Sequence, residues 1–536
     1  MQRQPMSLRI ASWPGLLAVW LLVLLTALLT RTLVPVDETR YAAVAWEMWQ
    51  RGDFLVPWLN GEPYSHKPPL FFWLVHAGWW LFGVSEWVVR AIAPLVALLA
   101  LLASGCLARQ LWPKADAPKW LVPWVLFGSI CYTAFYSWVQ FDMLLVLFTV
   151  LAMTGLVRAG QGHGSGWVLT GCAIGLGVLA KGPVILLHVL PVALLAPLWK
   201  RDAAARFWPA WYAGIVASVV LGAAIALAWA LPAAEAGGEA YRNAILWGQT
   251  ADRLVNSFAH QQPLWWYLPW LAVLFAPWCF LTWLWSDSRR LEPGRDEGLR
   301  FCLVWLLSVF LLLSLVSGKQ LKYLLPLLPA FALLVTRVAG LRGGAPLRGR
   351  AWLLAVVLLF VGAAVMLLPR VLQQAAWLND IHPVWGGLLM VAAITMFLLR
   401  PAPSVATLVR ISLLSVFVIV VVQLGVFRAA APAYDLRAAS EVLARAQQQG
   451  RMVAVIDRYH GQFGFYGRLI QPILYIREDS DSVMAWAARH PDAYLVLSYR
   501  DRRDDYPQAV FSQPYRGGDL VIREARTITA PADLPQ

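Results

Sequence analysis

The chain has 536 residues, 60% of them hydrophobic and only 14% charged, against roughly a quarter charged in soluble domains, so a string of water-soluble domains is excluded. Its 44 Lys and Arg against 30 Asp and Glu leave a formal charge of +14. In a soluble protein that excess would point to nucleic acid, but here the cations sit in short clusters between long apolar runs, which is the pattern of membrane topology. Cys106, Cys131, Cys172, Cys279 and Cys302 all lie within apolar runs at no metal-type spacing, so no disulfide or zinc framework is expected.

A membrane span needs about 20 predominantly apolar residues. Segments 14–33, 88–107, 120–135, 143–157, 167–180, 184–198, 210–231, 264–285, 301–316, 323–338, 352–368, 384–399 and 407–427 qualify, the shorter ones as tilted or locally thinned contacts. The first ends in Arg31-Thr32-Leu33-Val34-Pro35 without a small-residue cleavage site, so it reads as a signal anchor. Segment 69–82 is also apolar, but it is short, opens on Pro68-Pro69, and carries His76 and interface-preferring tryptophans. Charge arbitrates. With that segment not crossing and the N-terminus inside, the cytoplasmic segments hold 19 basic and 6 acidic residues, the outer loops 11 and 11, and the C-terminal stretch 14 and 13. A further crossing would swap every later loop and invert the positive-inside bias. Segment 69–82 is therefore predicted to be an interfacial or re-entrant helix, and thirteen spans place the C-terminal stretch outside.

Within the first outer loop, Tyr41, Val44, Ala45, Met48 and Trp49 share one helical face, and Arg51-Gly52-Asp53 ends that helix. After Phe427 the sequence becomes that of a soluble mixed α/β domain. Helices are predicted at 436–449 and 482–489, strands at 452–456 and 494–498, and a closing hairpin from 509–513 and 520–523. Asp457, Tyr459 and His460 follow a strand, where either a ligand site or a plain surface loop would fit. There is no tandem repeat and no inverted duplication of the kind common in transporters.

The predicted spans contain few ionisable residues, whereas transporters and channels usually carry them near the midplane. They gather instead in the outer loops. Asp37 and Glu38 stand at the top of the first span, and Lys67 precedes the interfacial helix. A lysine can hold a phosphate as a point charge, and an aspartate at the interface can orient or deprotonate an acceptor. An amphipathic interfacial helix with solvated charges explains the same composition.

The strings Asp37-Glu38-Thr39-Arg40-Tyr41, Gly52-Asp53, Val56-Pro57 and Lys67-Pro68-Pro69 resemble the first periplasmic loop of bacterial ArnT-type glycosyltransferases. These belong to the wider protein-mannosyltransferase-like group with the GT-C fold. Shorter matches continue in the same order: Gln140-Phe141-Asp142, Lys181-Gly182, Arg253, the run from His260 through Trp265-Trp266-Tyr267, Lys319, and Tyr323-Leu324-Leu325-Pro326. Asp37, Lys67, Asp142, Lys181, Arg253, His260 and Lys319 all fall on the outer side by the charge count.

The resemblance implies a polytopic α-helical membrane protein of GT-C type, with about thirteen transmembrane helices and a small periplasmic α/β domain. The catalytic membrane domain would be 1–427, with its first periplasmic loop at 34–87, and the periplasmic domain 428–536. The protein would sit in the bacterial inner membrane with a cytoplasmic N-terminus. It would move a sugar, 4-amino-4-deoxy-L-arabinose or a relative, from a polyprenyl (undecaprenyl) phosphate donor to a periplasmic acceptor such as lipid A, with inversion. Asp37 and Asp142 are the expected catalytic carboxylates. Lys67 is the first choice to hold the leaving phosphate, with Arg253 and Lys319 as helpers. Arg40 either serves the same site or pairs with Asp37 or Glu38. Glu38, Tyr41, Lys181 and His260 are expected to bind substrate, and Tyr64, Tyr267 and Tyr323 either bind the phosphate or sit in the aromatic belt. His66 replaces an acidic residue frequent in the family. No cofactor is certain; a divalent metal is the one candidate, with His66, His260 and Glu62 as ligands, and two histidines without fixed spacing argue weakly for it. Membrane lipids are expected partners and nucleic acid is not. A protein hydroxyl or another envelope glycan as acceptor, a polyprenyl-lipid transporter without chemistry, and a membrane-anchored interaction protein are the competing readings.

Overall fold

Ser12 caps the first span, its hydroxyl accepting the Gly15 amide at 3.4 Å, and Pro14 occupies the first turn, where a missing N–H costs nothing; helix α1 runs Trp13–Thr30. The computed structural model describes residues 12–113, 120–201, 203–248, 261–341, 351–372, 375–398, 402–456, 459–477, 479–502 and 506–534. Beyond α1 the first loop folds as helix α2 (Asp37–Arg51), a two-residue ladder between β1 (Trp58–Leu59) and β2 (Glu62–Pro63), and helix α3 (Leu70–Phe82). α2 stops at Gly52, whose left-handed φ of 67° lets its amide turn back to the Met48 and Trp49 carbonyls.

One buried carboxylate organises this region. Glu38, 1% exposed, accepts Arg31 Nη1 at 2.5 Å and Nη2 at 3.1 Å, together with the amides of Val34 at 2.8 Å and Val139 at 2.7 Å. Arg31 also donates to the Thr32 carbonyl at 3.1 Å and the Ser137 carbonyl at 2.8 Å. The end of α1, the start of α2 and the turn at 137–139 therefore meet at one ion pair.

The apolar segments read from the sequence carry α4 (Glu86–Leu111), α5 (Leu121–Phe127), α6 (Ile130–Tyr136), α7 (Asp142–Gly160), α8 (Ser165–Lys181), α9 (Val184–Leu194), α10 (Phe207–Ala236), α11 (Glu297–Leu315), α12 (Leu328–Gly340), α13 (Trp352–Val371), α14 (Val384–Leu398) and α15 (Ser404–Val422). Among the described residues, seven helical stretches are long and apolar enough to cross a membrane, and the other apolar helices are shorter. Several predicted segments are not continuous rods; segment 184–198, for one, passes from α9 into a separate short helix at Ala196–Trp199. Segment 120–135 breaks between α5 and α6, and segment 264–285 is divided at Ala276-Pro277 into Tyr267–Leu274, a 3-10 turn at Trp278–Phe280, and Thr282–Ser288.

α3 is a short apolar helix. At 13 residues it is about 20 Å long, shorter than the roughly 30 Å hydrocarbon core. The Tyr466 hydroxyl accepts the Leu33 amide at 2.9 Å and donates to Glu86 Oε2 at 2.6 Å, so the end of α1 and the start of α4 lie side by side.

The tail holds α16 (Arg437–Gln448), β3 (Val453–Ile456), β4 (Leu474–Ile476), α17 (Ser480–Arg489), β5 (Tyr494–Tyr499), β6 (Ala509–Tyr515) and β7 (Gly518–Glu524). The sheet order is β4-β3-β5-β7-β6, with β3 parallel to β4 and β5 and the closing hairpin antiparallel. β4 was not anticipated: it is three residues long and exposes Leu474 and Tyr475. Of the residues noted after β3, Asp457 lies outside the described residues; Tyr459 and His460 are within them.

Two predictions follow from these buried polar groups. Glu38→Ala strands a buried guanidinium and should cost about 3–5 kcal/mol, whereas Arg31→Met with Glu38→Met should recover part of that loss, because neither charge is left alone; apparent Tm in detergent reads both. His76, on α3, bonds the Ala45 carbonyl at 2.9 Å and is buried, which lowers its pKa. The unfolded chain takes up that proton more readily, so the contribution is full above about pH 6.5 and falls below it. A Tm series from pH 7 to 5 should be flatter for His76→Phe than for the parent.

Candidate functional site

The site forms where α2 faces the N-terminus of α7 and the C-terminus of α8. Asp37 opens α2 and pairs with Arg40 one turn on; the carboxylate is 48% exposed and the guanidinium 22%. Of the alternatives weighed for Arg40, the pair with Asp37 is the one that forms. The guanidinium also lies 5.6 Å from the centre of the Tyr41 ring. Tyr41 is buried with its ring edge-on to Phe141 at 4.9 Å. Burial first, and then the Asp37 carboxylate, hold its phenol well above the usual range, so it stays a proton-bearing donor.

Phe141 is the shared platform. The Lys67 ammonium lies 5.6 Å from its ring centre, at the close of the loop that packs Tyr64 and His66 with ring centroids 5.3 Å apart. The next residue, Asp142, begins α7 and binds Lys181, the last residue of α8, at 2.5 Å. Both side chains are buried. Each charge stands at the helix end whose dipole favours it, a carboxylate at an N-terminus and an ammonium at a C-terminus. The Lys181 ammonium lies 4.8 Å from the Tyr323 ring centre, and Lys322 and His188 (the latter buried on α9) are within its electrostatic reach. Tyr41 in turn feels Asp142, which links the two halves.

The structure thus brings together Asp37, Arg40, Tyr41, Tyr64, His66, Lys67, Asp142, Lys181 and Tyr323. Three expectations change. Glu38 is not turned to substrate: its oxygens are taken by Arg31 and two backbone amides, as the burial of both partners requires. Lys319, 2% exposed, donates from its ammonium to the carbonyls of Gln262 at 3.0 Å and Val316 at 2.6 Å, and so ties two loops together. Tyr267 is buried and donates to the Gln320 carbonyl at 3.3 Å. Arg253 and His260 lie outside the described residues. Among the described residues no three His, Cys, Asp or Glu converge as a metal site; of the three expected ligands, His66 and the exposed Glu62 are described and His260 is not. Sequence reasoning missed Lys322, Phe141 as a platform, and Arg31. The signal for Arg31 was a cation at the span end, seven residues ahead of Glu38.

Two carboxylates and four cations (Arg40, Lys67, Lys181 and Lys322) make a positive field over an aromatic floor. Such a field stabilises an anion that gains charge during a reaction. The Asp142–Lys181 pair carries its own test. Asp142→Ala should lower Tm by an amount worth about 3–5 kcal/mol, and Asp142→Ala with Lys181→Met by less than the two single losses added, with a coupling of at least about 1 kcal/mol. Thermal melts of the four proteins in detergent give the cycle.

Comparison with known proteins gives the family and the fold. The sequence profile of the dolichyl-phosphate-mannose-protein mannosyltransferase family matches residues 66–229. An undecaprenyl phosphate-alpha-4-amino-4-deoxy-L-arabinose arabinosyl transferase of Edwardsiella ictaluri is 31% identical over 391 residues, covering 71% of this chain and 68% of that protein. A namesake from Pseudomonas fluorescens is 31% identical over 62% of this chain and 58% of its own length, so the chain spans somewhat under two thirds of that relative. The crystal structure of ArnT from Cupriavidus metallidurans bound to undecaprenyl phosphate superposes with a TM-score of 0.74 at 20% identity, over 95% of this chain and 97% of that one. That match gives the fold, a GT-C membrane fold. The apo oligosaccharyltransferase of Archaeoglobus fulgidus is a more distant match, with a TM-score of 0.51 at 11% identity, over 91% of this chain and 70% of that one.

Proposed function

The chain belongs to the family of undecaprenyl phosphate-alpha-4-amino-4-deoxy-L-arabinose arabinosyl transferases, and from that premise we propose that it transfers 4-amino-4-deoxy-L-arabinose, or a related amino sugar, from undecaprenyl phosphate to a phosphate of lipid A. The observation that carries this reading is the joining of Asp37, Arg40, Tyr41, Lys67, Asp142 and Lys181 into one cluster around Phe141. The seven long helices and the shorter apolar ones make it a multi-pass membrane protein. We place it in the inner membrane with thirteen crossings, a cytoplasmic N-terminus, a catalytic domain at 1–427 and a periplasmic domain at 428–536. The positive-inside count supports that orientation.

The chemistry runs as an in-line displacement. An acceptor oxygen attacks the anomeric carbon as the bond to the donor's phosphate oxygen breaks, and the configuration inverts. Undecaprenyl phosphate leaves with increased negative charge. Lys67 meets that charge from the loop side, and Lys181 with Lys322 from the membrane side, so the barrier falls without any rearrangement of the protein. Arg253 keeps the helper role that the family resemblance gives it. Tyr41, held protonated, donates a hydrogen bond to a phosphate or sugar oxygen. An acceptor phosphate is already anionic near neutral pH, so Asp37, paired with Arg40, orients the acceptor and meets the cationic amine of the sugar rather than removing a proton. Asp142 fixes Lys181.

The test is transfer by purified protein from undecaprenyl phosphate-aminoarabinose to lipid A, read by mass spectrometry. Lys67→Ala should lower kcat by about 100–1000-fold. Asp37→Asn keeps a hydrogen-bonding side chain without a charge and should lose about 10–100-fold, less than removal of a true general base that supplies up to about 10,000-fold. Parent-like rates in both variants would overturn the site. A 10,000-fold loss in Asp37→Asn would favour a hydroxyl acceptor.

A further inference from the structure

We infer that residues 459–473 of the tail, which lie between β3 and β4, are a positioning element for the sugar-transfer site, bracing α2 from the side opposite its catalytic face. This inference rests on the transfer reading above for its activity readout, and on geometry alone for the rest.

Successive α-helical residues are turned by 100°, so Asp37, Tyr41 and Val44 share one face of α2, and Ala43 and Trp46 lie on the opposite one. The first face is the site. At Ala43 and Trp46 the second is met by the tail. Trp46 Nε1 donates to the Leu469 carbonyl at 3.1 Å, and the Arg468 guanidinium lies 4.9 Å from the centre of the Trp46 ring. Gly461 takes φ 77°, and a Cβ there would come within 2.5 Å of the Leu59 side chain and 3.3 Å of the Ala43 methyl, so the tail backbone packs directly on those two side chains.

The rest of the loop is gripped by the same short segment. Asn60, at the tip of the β1–β2 turn, exchanges two hydrogen bonds with Ile473: its Nδ2 donates to that carbonyl at 2.9 Å and its Oδ1 accepts that amide at 2.8 Å. Phe465 stacks on Trp79 of α3 at 5.7 Å with the planes 8° apart. Arg468 donates to the Val84 carbonyl at 3.3 Å. Tyr466 joins Leu33 to Glu86, and Leu33 stands two residues after Arg31, the partner of Glu38. Phe465 is 2% exposed and belongs to the continuous apolar core of the membrane helices and first loop, not to the two cores of the α/β tail. The segment thus packs both ways: Phe463, Leu469 and Ile473 belong to a core of the tail, and Phe465 to that of the membrane helices and loop.

A brace of this kind acts on catalysis through position. Displacing reacting groups by about 1 Å can cost up to about 100-fold in rate, even from a distant change. The element touches no group that would contact substrate, so its removal should lower kcat and leave the KM for donor lipid near its parent value.

The experiment compares Asn60→Ala, Trp46→Phe and Tyr466→Phe with the parent protein in lipid nanodiscs, by steady-state transfer kinetics and by hydrogen–deuterium exchange of the intact chain. Trp46→Phe deletes the indole N–H and keeps an aromatic side chain, and Tyr466→Phe deletes the hydroxyl that accepts from Leu33 and donates to Glu86 and keeps the ring, so the fold is disturbed little. The expected result is faster exchange across residues 37–51, with β3 and β5 still protected, and a kcat lower by about 10-fold or more at nearly constant KM. Trp46→His, which can restore a ring N–H to the Leu469 carbonyl, should regain part of the lost rate. Unchanged exchange at 37–51 in all three variants would overturn the brace whatever the substrate is. Faster exchange at 37–51 with unchanged kcat would overturn its role in transfer. Absence of transfer by the parent protein would instead count against the proposed substrates, and the exchange data would still decide the brace.

Discussion

A carboxylate that cannot be solvated must be satisfied by the protein, and Glu38 meets that demand by drawing three separate pieces of chain to one point. Arg31 comes from the end of the first span, the Val34 amide from the exit turn, and the Val139 amide from the approach to α7. A surface pair of this geometry would contribute little, but a buried one is expensive to break because either partner alone is a stranded charge. The consequence is positional. Asp37 is the neighbour of Glu38, and Phe141 and Asp142 follow Val139 by two and three residues. The Asp37 side of α2 and the N-terminus of α7 are thus held in register by one buried ion pair.

Within the register so set, the charges divide into two kinds. Asp37 and Asp142 are each matched to a cation, one pair half-exposed at the water side and the other buried at the meeting of two helix ends. The pairing keeps the carboxylates from cancelling the field of Lys67 and Lys322, and the aromatic rings of Phe141 and Tyr323 give Lys67 and Lys181 a low-polarity face to lie against. A phosphate that leaves in such surroundings is met by fixed cations rather than by reorganising water. The amine of an amino sugar has a carboxylate within the same cluster.

Much of this was legible in the sequence because its physics is local or additive. The period of Tyr41, Val44, Ala45 and Met48 and the break at Gly52 marked α2, and the apolar run at 69–82 marked α3. What escaped depends on burial or on distant partners. Glu38 was read as a ligand for substrate because nothing in the string Asp37-Glu38 says which carboxylate turns inward. Lys319 looked like a phosphate cation because two backbone carbonyls leave no mark on a sequence. The Asp142–Lys181 pair spans 39 positions and was approached only through the order of family motifs. The turn at Asn60-Gly61 was a different case: Asn-Gly is a strong local hairpin signal, and it was overlooked inside a loop read for its charges. Tertiary contacts of the tail with α2 had no sequence signal at all.

The contact between Trp46 and Leu469 joins residues 423 positions apart. A chain made at 5–20 residues per second needs roughly 20–80 seconds to traverse that interval. Through that time α2 must wait with its rear face, Ala43 and Trp46, uncovered by the tail, while the apolar helices that follow it are made. The site is therefore among the last parts of the molecule to be completed, although its first residues are among the earliest made.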